Sequence, residues 1–524
     1  MEESKTIHVF TKVSDISDMA LDDSIKERTS GGDSREETLV EEKAVEIDSF
    51  FGKLQRYLGQ YGVEERGVER VPEDQRTDKT LFKLANIWFS ANLSIPTFAM
   101  GSVAIPIFEL GFVDAALVIV LVNAVAAITP CFFATFGPKF GLRQMILSRF
   151  FFGYYVTKIL AVFQIIVCLG WTSVNAIVGA QLFHAVNPDM PGWAGILVIA
   201  LTTLVICFIG YKAIHLYERW ACVPAAIIYL IVLGVFVRSA KFDNLLPLKS
   251  GPSEAASILS YSAGLFGFTC GWSVFSADYG VYQPASRPPK AVFIWSYVGL
   301  YIPIIFLELF GAAVATTIVH DDAYRTAYDQ SGIGGLLSQV LVPELGGFGK
   351  FCIVILALSI VAGNCPNIYS SSFALQVLAQ ATQRVPRFLW TIFGTAICIA
   401  ISIPGYDRFE SWLENIVLMT GYWVSVYTGI ALTEHFVFRR GYDGYRVGDV
   451  SDPKHLPPGY AALSAFLIGA LGVALGMSQQ WYTGPISKLC GDERGGDIAF
   501  ELGLGFSSIS YVALRSVEKS YFKR

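Results

Sequence analysis

Charged residues are scarce in this chain of 524 amino acids. Only 16% of them are Asp, Glu, Lys or Arg, whereas 53% are hydrophobic and the mean hydropathy is +0.49. Because soluble domains contain about 25% charged residues, this composition excludes an ordinary soluble protein. The few charges are unevenly placed: residues 1–80 hold 12 Lys/Arg and 20 Asp/Glu, whereas residues 81–524 hold 27 and 24. The sequence therefore predicts an acidic tail followed by a membrane-embedded body.

Motifs for several kinds of chemistry are also missing. There is no Walker motif, which argues against ATP-driven pumping. The six histidines form no cluster with carboxylates at metal-ligand spacing, and the nine cysteines form no zinc-type pairs. No nucleophile–base pattern stands out, and the N-terminus lacks the apolar core of a signal peptide. We therefore expect no enzyme, no metal, no organic cofactor and no nucleic-acid partner.

Twelve segments are long and apolar enough to cross a bilayer, which requires roughly 20 such residues. They lie at about 84–110, 114–136, 154–183, 193–211, 220–238, 256–281, 291–319, 348–380, 386–404, 412–437, 460–477 and 498–514. These lengths suit helices, which pair all their backbone groups internally. The predicted fold class is thus an all-α integral membrane protein with twelve transmembrane helices.

The loops predict the orientation and the division of the chain. With the N-terminal tail inside, the inner loops contain 13 Lys/Arg and the outer loops contain seven, so both termini are expected in the cytoplasm. We expect a largely disordered tail over 1–80, with a short helix over 45–62. The transporter core follows at 81–437, the last two spans at 438–514, and a cytoplasmic C-terminal tail at 515–524.

Two of the segments carry signs of a helix break. Span one contains Pro96 and Gly101, and span six contains Gly267 and Gly271. Interrupted helices at corresponding positions of two halves indicate a transporter binding site. Spans one and six correspond if spans 1–5 and 6–10 form two repeats, and spans three and eight then correspond as well. The alternative is that these residues only allow close helix packing.

Polar and indole side chains lie deep in spans three, six and eight. Trp171 and Asn175 lie in span three, Trp272 lies in span six, and Asn364 and Asn367 lie in span eight. Such side chains are poor choices for contact with lipid but suit a flat, polar, aromatic solute, so the pattern indicates a transporter for a solute like a nucleobase. The alternatives are interfacial anchoring for the tryptophans and interhelical hydrogen bonding for the amides.

The chain also resembles a known family. The resemblance rests on GVEERGVERVPEDQRTD before span one, WFSANLS in span one, GWTSVN in span three, GWSVFSADYGVY in span six and AGNCPNIYSSS in span eight. With these motifs, the sequence from about residue 60 onward resembles the fungal purine–cytosine permeases of the nucleobase–cation symport family one. That resemblance implies a five-plus-five inverted repeat of the leucine-transporter type with two extra helices. It also implies proton-coupled uptake of adenine, guanine, hypoxanthine and cytosine at the plasma membrane.

The resemblance implies roles for individual residues. Trp171 and Trp272 would stack on the two faces of the base, and Asn175 and Asn367 would bond its edge. The complete set of expected substrate-binding residues is Ser90, Asn92, Trp171, Asn175, Gly271, Trp272, Asn364 and Asn367. Pro96 and Pro366 are expected to break their helices, the latter by opening span eight.

The sequence indicates the proton-coupling residue less clearly than it indicates the substrate-binding residues. Glu308, near the middle of span seven, is a candidate because an ionisable group at that depth is costly and often functional. Asp278 lies nearer the cytoplasmic end of span six, where a role in a gate is the better interpretation.

Two alternatives to base uptake stay open: a carrier of a vitamin such as pyridoxine or of allantoin, and a nutrient-sensing receptor with a transporter fold. The expected partners are the small-molecule base and the lipid bilayer, and the oligomeric state stays open.

Overall fold

The structure, a computed structural model, describes residues 50–491 and 495–523. The chain divides into two compact units, Met1–Tyr61 and Gly62–Arg524. In the described part of the first unit there is one helix, α1 (Phe50–Gly59), within the predicted helical range 45–62. The predicted disorder of residues 1–45 lies outside the described residues.

Helices make up most of the second unit. In chain order they are α2 (Phe82–Asn92), α3 (Ile95–Ser102), α4 (Phe112–Ala126), α5 (Ile128–Ala134), α6 (Phe136–Phe140), α7 (Gln144–Leu147), α8 (Arg149–Val186), α9 (Gly192–Ile209), α10 (Tyr211–Ser239), α11 (Pro252–Cys270), α12 (Pro289–Ala315), α13 (Thr317–His320), α14 (Asp322–Val377), α15 (Gln380–Gln383), α16 (Arg387–Gly405), α17 (Phe409–Thr433), α18 (Tyr460–Gly476) and α19 (Ala499–Phe522). Two short strands, β1 (Ser478–Gln479) and β2 (Tyr482–Thr483), pair antiparallel between α18 and α19.

Within the described ranges, eight helical stretches are long and apolar enough to cross a membrane. They are Phe112–Phe140, Arg149–Val186, Gly192–Ile209, Tyr211–Ser239, Pro289–His320, Asp322–Val377, Arg387–Arg408 and Ser411–Arg439. These stretches coincide with predicted spans two to five and seven to ten. The other four predicted spans are helical but interrupted, short or more polar, so the count of twelve stays a prediction.

The outer faces of these helices are apolar. On α4, Val113, Leu117, Leu121 and Val125 follow one another at four-residue intervals, and each is more than half exposed. Asn123 on the same helix is fully buried. Apolar residues outside and polar residues inside are the arrangement expected of helices surrounded by lipid, where a polar side chain must find its partner within the protein.

The first predicted span is interrupted two residues before Pro96. Helix α2 ends at Asn92, Ser94 has an extended backbone with φ −142° and ψ 163°, and α3 begins at Ile95. Pro96 therefore lies in the first turn of α3, where its missing N–H removes no helical hydrogen bond. The break thus consists of the two buried residues Leu93 and Ser94, whose backbone dihedrals are non-helical.

The sixth predicted span is interrupted after Cys270. Helix α11 ends there, and the chain continues as two short 3₁₀ turns, Gly271–Val274 and Ser276–Tyr279, instead of an α-helix. Phe275, between the turns, has the non-helical dihedrals φ −146° and ψ 10°. Both segments in which glycine and proline indicated a break are thus discontinuous at the same depth as the candidate site described below.

The predicted opening of span eight at Pro366 is wrong. Helix α14 keeps helical dihedrals through Pro366, and its non-helical residues are Ser331, Gly332 and Gly346, all before the predicted span. Proline removes one backbone donor, but a membrane helix tolerates this loss when neighbouring helices hold its shape. Pro366 therefore lies in an intact helix.

Helices α3 and α12 touch through glycines, which yields a stability prediction. A Cβ atom built on Gly101 would lie 1.9 Å from the Glu308 carbonyl oxygen. Because overpacking a close contact costs about 1–3 kcal/mol, we expect Gly101→Ala to lower the melting temperature in detergent by several degrees. Gly234 in α10 is the matched control, because a Cβ there has nothing within 4 Å. Equal melting temperatures for both alanine variants would contradict this packing.

Candidate functional site

A cavity lies where the two interrupted segments meet α8 and α14. Its lining residues are Ala91, Asn92, Ser94, Pro96, Thr97, Trp171, Asn175, Phe268, Gly271, Trp272, Phe275, Gly363 and Asn367. The lining combines aromatic rings with a few amides and hydroxyls, which is the composition of a site that orients one small, partly polar solute.

Most of the predicted site residues meet in this cavity. Asn92, Trp171, Asn175, Gly271, Trp272 and Asn367 line it, as does Pro96. Ser90 and Asn364 are not part of the lining. They lie beside it, on the helices that carry Asn92 and Asn367. Glu308, Asp278 and Pro366 also lie outside the lining.

The two tryptophans are held by different neighbours. Trp171 donates its indole N–H to Thr420 Oγ1 at 3.2 Å and meets the Phe268 ring edge-on at 5.4 Å. Trp272 is held edge-on by Trp88 and by Phe275, each at 5.4 Å between ring centroids. In the described aromatic contacts neither indole packs against the other. Each ring is fixed from behind, and both border the cavity.

The amides present unpaired oxygen atoms. Asn175 donates from Nδ2 to Asn364 Oδ1 at 2.9 Å, and Asn92 donates from Nδ2 to the Trp88 carbonyl at 2.9 Å. The Oδ1 atoms of Asn92 and Asn175 are buried and have no hydrogen-bonding partner among the described residues. Asn367 uses its Nδ2 to bond the Gly363 carbonyl at 3.0 Å. A buried unpaired acceptor costs about 1–3 kcal/mol, so these oxygens are suited to bind N–H donors of a solute.

Close backbone contact brings the lining elements together at Gly363. A Cβ atom on Gly363 would lie 3.3 Å from the Ala91 carbonyl oxygen and 3.7 Å from Asn175 Nδ2. The absence of a side chain therefore lets α14 approach the end of α2. Ser94, in the break, donates its hydroxyl to the Ala91 carbonyl at 3.0 Å. These contacts place the amides of three separate segments around one cavity.

Glu308 and Asp278, the two carboxylates predicted to act in proton coupling or in a gate, form their hydrogen bonds outside the cavity. Glu308 accepts from Asn123 Nδ2 at 2.5 Å, and the Asn123 Oδ1 accepts from the Thr269 hydroxyl. Asp278 accepts from the Gln144 backbone N–H at 2.7 Å and from the Ser370 hydroxyl at 2.9 Å. Glu308 thus connects α12 to α4 and α11. Asp278 connects the end of the sixth segment to α7 and α14.

A second cluster, the Glu64 cluster (Glu64, Arg143, Tyr282, Tyr369 and Arg387), surrounds a carboxylate that the sequence reasoning missed. Glu64 Oε1 accepts from the hydroxyls of Tyr282 at 3.0 Å and Tyr369 at 2.9 Å, and from Arg143 Nη2 at 3.2 Å. Its other oxygen lies 3.7 Å from Arg387 Nε. Arg143 and Arg387 are both almost completely buried, and their guanidinium groups lie over the Tyr369 ring at 5.3 Å and 5.1 Å.

Aromatic rings connect the cavity to the Glu64 cluster. Trp272 contacts Trp88 at 5.4 Å, Trp88 contacts Tyr279 at 5.6 Å, and Tyr279 contacts Tyr369 at 6.3 Å. Tyr369 then reaches Glu64 through its hydroxyl. This layer of rings separates the cavity from the ion pairs of the cluster on one side of the protein.

Other lining residues were also missed by the sequence reasoning. Ser94, Thr97, Phe268, Phe275 and Gly363 border the cavity. All of them lie within or beside the quoted motifs. Proximity to the breaks was a usable signal for Ser94 and Thr97. Phe268 lies in α11 and precedes Gly271, a predicted site residue, by three residues. The two positions therefore lie on nearly the same helical face.

Comparisons with known proteins agree with this geometry. Residues 70–500 match the model of a family described as permease for cytosine/purines, uracil, thiamine, allantoin. The chain is 48% identical to the purine-cytosine permease fcyB of Emericella nidulans over 91% of this chain and 93% of that protein. It is 39% identical to the purine-cytosine permease FCY21 of Saccharomyces cerevisiae over 91% of each chain.

A solved structure has the same fold. It is Mhp1, a nucleobase-cation-symport-1 family transporter, in a closed conformation with bromovinylhydantoin bound. The superposition has a TM-score of 0.67 and covers 87% of this chain and 96% of Mhp1, at 14% sequence identity. At this identity the likeness concerns the fold alone: it confirms a mostly helical transporter fold like that of Mhp1, whereas the twelve helices and the inverted repeat stay predictions.

Proposed function

The chain belongs to the family of permeases for cytosine/purines, uracil, thiamine and allantoin, and from this premise we propose that it takes up purine bases and cytosine together with protons. The expected substrates are adenine, guanine, hypoxanthine and cytosine. A permease of this family is a membrane transporter and not an enzyme. We place it in the plasma membrane with both termini in the cytoplasm.

The cavity between Trp171 and Trp272 is the observation that carries this proposal. Both indoles border the same cavity, and each is held in place by neighbouring rings or a hydroxyl group. Stacking on an aromatic side chain contributes about 1–3 kcal/mol per base and depends little on which base it is. A pair of such rings suits a carrier that accepts several bases.

The amides account for selection of the base edge. The unpaired oxygens of Asn92 and Asn175 can accept from the N–H groups that adenine, guanine, hypoxanthine and cytosine all carry. A carboxamide also offers a donor beside its acceptor, so rotation of Asn175 or Asn367 adapts the site to each base. A solute without N–H donors would leave buried acceptors unpaired and bind more weakly.

The finer architecture is part of the same proposal. We assign twelve spans in which α2 with α3 forms the first, α11 with its 3₁₀ turns the sixth, and α18 and α19 the last two. Spans one to five and six to ten form two inverted repeats of the leucine-transporter type. The breaks at Leu93–Ser94 and after Cys270 support this correspondence, because discontinuous helices in both halves border the cavity.

The Glu64 cluster is proposed as the inner gate. With the N-terminal tail in the cytoplasm, Glu64 lies just before the first span and therefore on the inner side. It bonds residues near the inner ends of several spans, among them Arg143, Tyr369 and Arg387. Asp278, which bonds α7 and α14 at the same side, belongs to this gate. Closing it while the cavity opens outward is one half of alternating access.

The decisive experiment measures uptake of radiolabelled cytosine in cells that lack their own permeases, with and without a protonophore. Uptake that collapses with the protonophore supports proton-coupled transport of a base. Unlabelled hypoxanthine should compete, whereas pyridoxine and allantoin should not. Uptake of labelled pyridoxine or allantoin without uptake of cytosine would instead identify the vitamin or allantoin carrier. A protein at the surface that binds but never concentrates solute would identify the receptor.

The pair of Asn175 and Asn364 gives a specific prediction. Asn364 is fully buried beside the cavity and accepts the hydrogen bond that holds Asn175. Loss of such a bond costs about 1 kcal/mol, so Asn364→Ala should raise the KM for cytosine by about fivefold to tenfold at an unchanged maximal rate. Asn415→Ala, at an exposed amide of α17, is the control and should leave KM unchanged. An unaltered KM for Asn364→Ala would remove its positioning role.

A further inference from the structure

Glu218 is a buried carboxyl group that the proposed binding site does not use. It lies on α10 and is 0% exposed. Both of its carboxyl oxygens lack a hydrogen-bonding partner among the described residues, and it takes part in none of their ion pairs. An ionised carboxylate in such surroundings costs several kcal/mol, and this cost is avoided when the group carries a proton. Its environment therefore favours the protonated form of the carboxyl group.

Among the residues that the structure describes, no cation pairs with the Glu218 carboxyl. Ser90 faces it from α2, Cys207 from the end of α9 and Cys365 from α14. On its own helix the titratable neighbours are Tyr217 and Cys222. The Tyr217 hydroxyl donates to the Leu358 carbonyl at 2.9 Å, and Cys222 is directed to Asn86 and Arg219.

Two basic residues on α10 are near Glu218 in sequence but are directed elsewhere. Arg219 is exposed. His215, one turn earlier, packs on the Tyr211 ring at 4.2 Å and faces Asp78, Lys83 and Glu64. Neither residue is among the groups that act on the Glu218 carboxyl. Its charge thus depends mainly on whether a proton is bound.

Ser90 connects this carboxyl group to the substrate site. Its hydroxyl oxygen is buried and, like the Glu218 oxygens, has no hydrogen-bonding partner among the described residues. The next two residues, Ala91 and Asn92, line the cavity, and Cys365 lies two residues from Asn367. The carboxyl therefore faces the backs of two segments whose other sides hold the solute. A change in its charge alters the helix end that carries Asn92.

We propose that Glu218 is the site that binds the co-transported proton, with Ser90 as the group that links it to the broken first span. This inference rests on the proposed proton-coupled function and names the residue that serves it. A proton from the outside joins a Glu218 oxygen when the base is bound, and it leaves as H⁺ to the cytoplasm after the base is released. Neutral Glu218 lets α2 pack against α10 at no charge cost, so proton and base favour the same conformation.

Glu308 is the competing carboxyl group, and it differs in one respect. Its Oε2 accepts a hydrogen bond from Asn123, which in turn accepts one from Thr269, so part of this carboxyl is already engaged in a chain that joins three helices. Glu218 has no such bond. The Asn123 donor compensates part of the negative charge of an ionised Glu308, whereas the charge of Glu218 is compensated mainly by a bound proton.

The test compares Glu218→Gln with the wild type at equal surface abundance. Glutamine mimics the protonated acid, so exchange of labelled for unlabelled cytosine, which needs no net proton movement, should persist within about twofold. Accumulation driven by the proton gradient should fall by about tenfold or more and lose its dependence on external pH. Glu308→Gln, the same change in the competing carboxyl, should keep a pH-dependent accumulation.

The outcomes separate two kinds of failure. If wild-type uptake is insensitive to a protonophore, the proton-coupled function itself is wrong, and the assignment of Glu218 is overturned with it. If wild-type uptake is sensitive and Glu218→Gln keeps its pH dependence, only the Glu218 assignment is overturned. The same conclusion holds if Glu308→Gln alone abolishes the pH dependence.

A second measurement covers the case in which Glu218→Gln fails to fold. Ser90→Ala removes the hydroxyl that faces the carboxyl while leaving Glu218 in place, so it should shift the external pH of half-maximal uptake without abolishing exchange. Proton uptake on addition of cytosine to the purified wild type in weakly buffered solution should also be detected with a pH indicator. An unchanged pH profile for Ser90→Ala, together with no proton uptake by the wild type, would overturn the inference.

Discussion

Trp272→Ala is expected to reduce uptake of cytosine and of purines at least fivefold while the protein still reaches the cell surface. The indole borders the cavity and is fixed edge-on by Trp88 and Phe275. Removal of one stacking ring costs about 1–3 kcal/mol of binding free energy, which corresponds to about 5-fold to 150-fold in affinity. Because stacking depends little on the identity of the base, all bases should be affected alike.

Two further variants make the Trp272 result interpretable. Trp272→Phe keeps an aromatic face, so its affinity should lie between those of the wild type and the alanine variant. Trp295→Ala is the matched control, because that indole lies on the outer surface of α12 and is 42% exposed. Its uptake should equal that of the wild type. Normal uptake by Trp272→Ala, with protein confirmed at the surface, would disprove the stacking site.

The residue types of the cavity could be predicted because they are anomalous in their segments. Trp171, Asn175, Trp272 and Asn367 are polar or amphipathic side chains deep inside apolar runs, and each of them lines the cavity. The direction in which a side chain faces within its segment was harder to predict. Ser90 and Asn92 are two residues apart, so on a regular helix they face differently, and only Asn92 reaches the cavity. Ser90 faces α10 instead.

Two further residues, Glu218 and Glu64, were not predicted to be functional, each for a different reason. The sequence placed span five at 220–238, so Glu218 fell among the charges of the preceding loop. The structure begins α10 at Tyr211, and this puts Glu218 in the helix and fully inside the protein. Glu64 lies in a charge-rich stretch that looks like a solvated tail. Its partners Arg143, Tyr282, Tyr369 and Arg387 are 79 to 323 residues away, and no local pattern predicts such contacts.

Glu64→Ala should have the second large effect, through the population of the outward-facing state. Removing one partner of a buried ion pair is destabilising by about 3–5 kcal/mol. Here it leaves the guanidinium groups of Arg143 and Arg387, both above the Tyr369 ring, without the carboxylate between them. The closed inner gate loses this energy, whereas an open gate, in which the groups are hydrated, loses less. The variant should therefore favour the inward-open state.

The effect on transport depends on the fraction of the protein that is in the outward-facing state. Apparent affinity for an external base falls in proportion to the fraction of protein that faces outward. We expect Glu64→Ala to raise the apparent KM for external cytosine at least tenfold, and Glu64→Gln, which keeps an acceptor for the tyrosine hydroxyls, to raise it less. Glu69→Gln is the matched control. It removes the same charge from the same segment, but in the described part of the chain the exposed Glu69 carboxylate bonds only the nearby Gly67 N–H.

Accessibility separates a gate from a merely structural cluster. A cysteine introduced at Thr97, which lines the cavity, should react with a membrane-impermeant maleimide in inside-out vesicles faster when Glu64→Ala is present than when it is absent. A variant that lowers transport only by unfolding would react at sites throughout the protein, including its buried native cysteines. If the rate at residue 97 does not change while uptake falls, the cluster stabilises the fold and the gate lies elsewhere. A faster rate confined to residue 97 places the inner barrier between the cavity and Glu64, where the rings of Trp88, Tyr279 and Tyr369 stand.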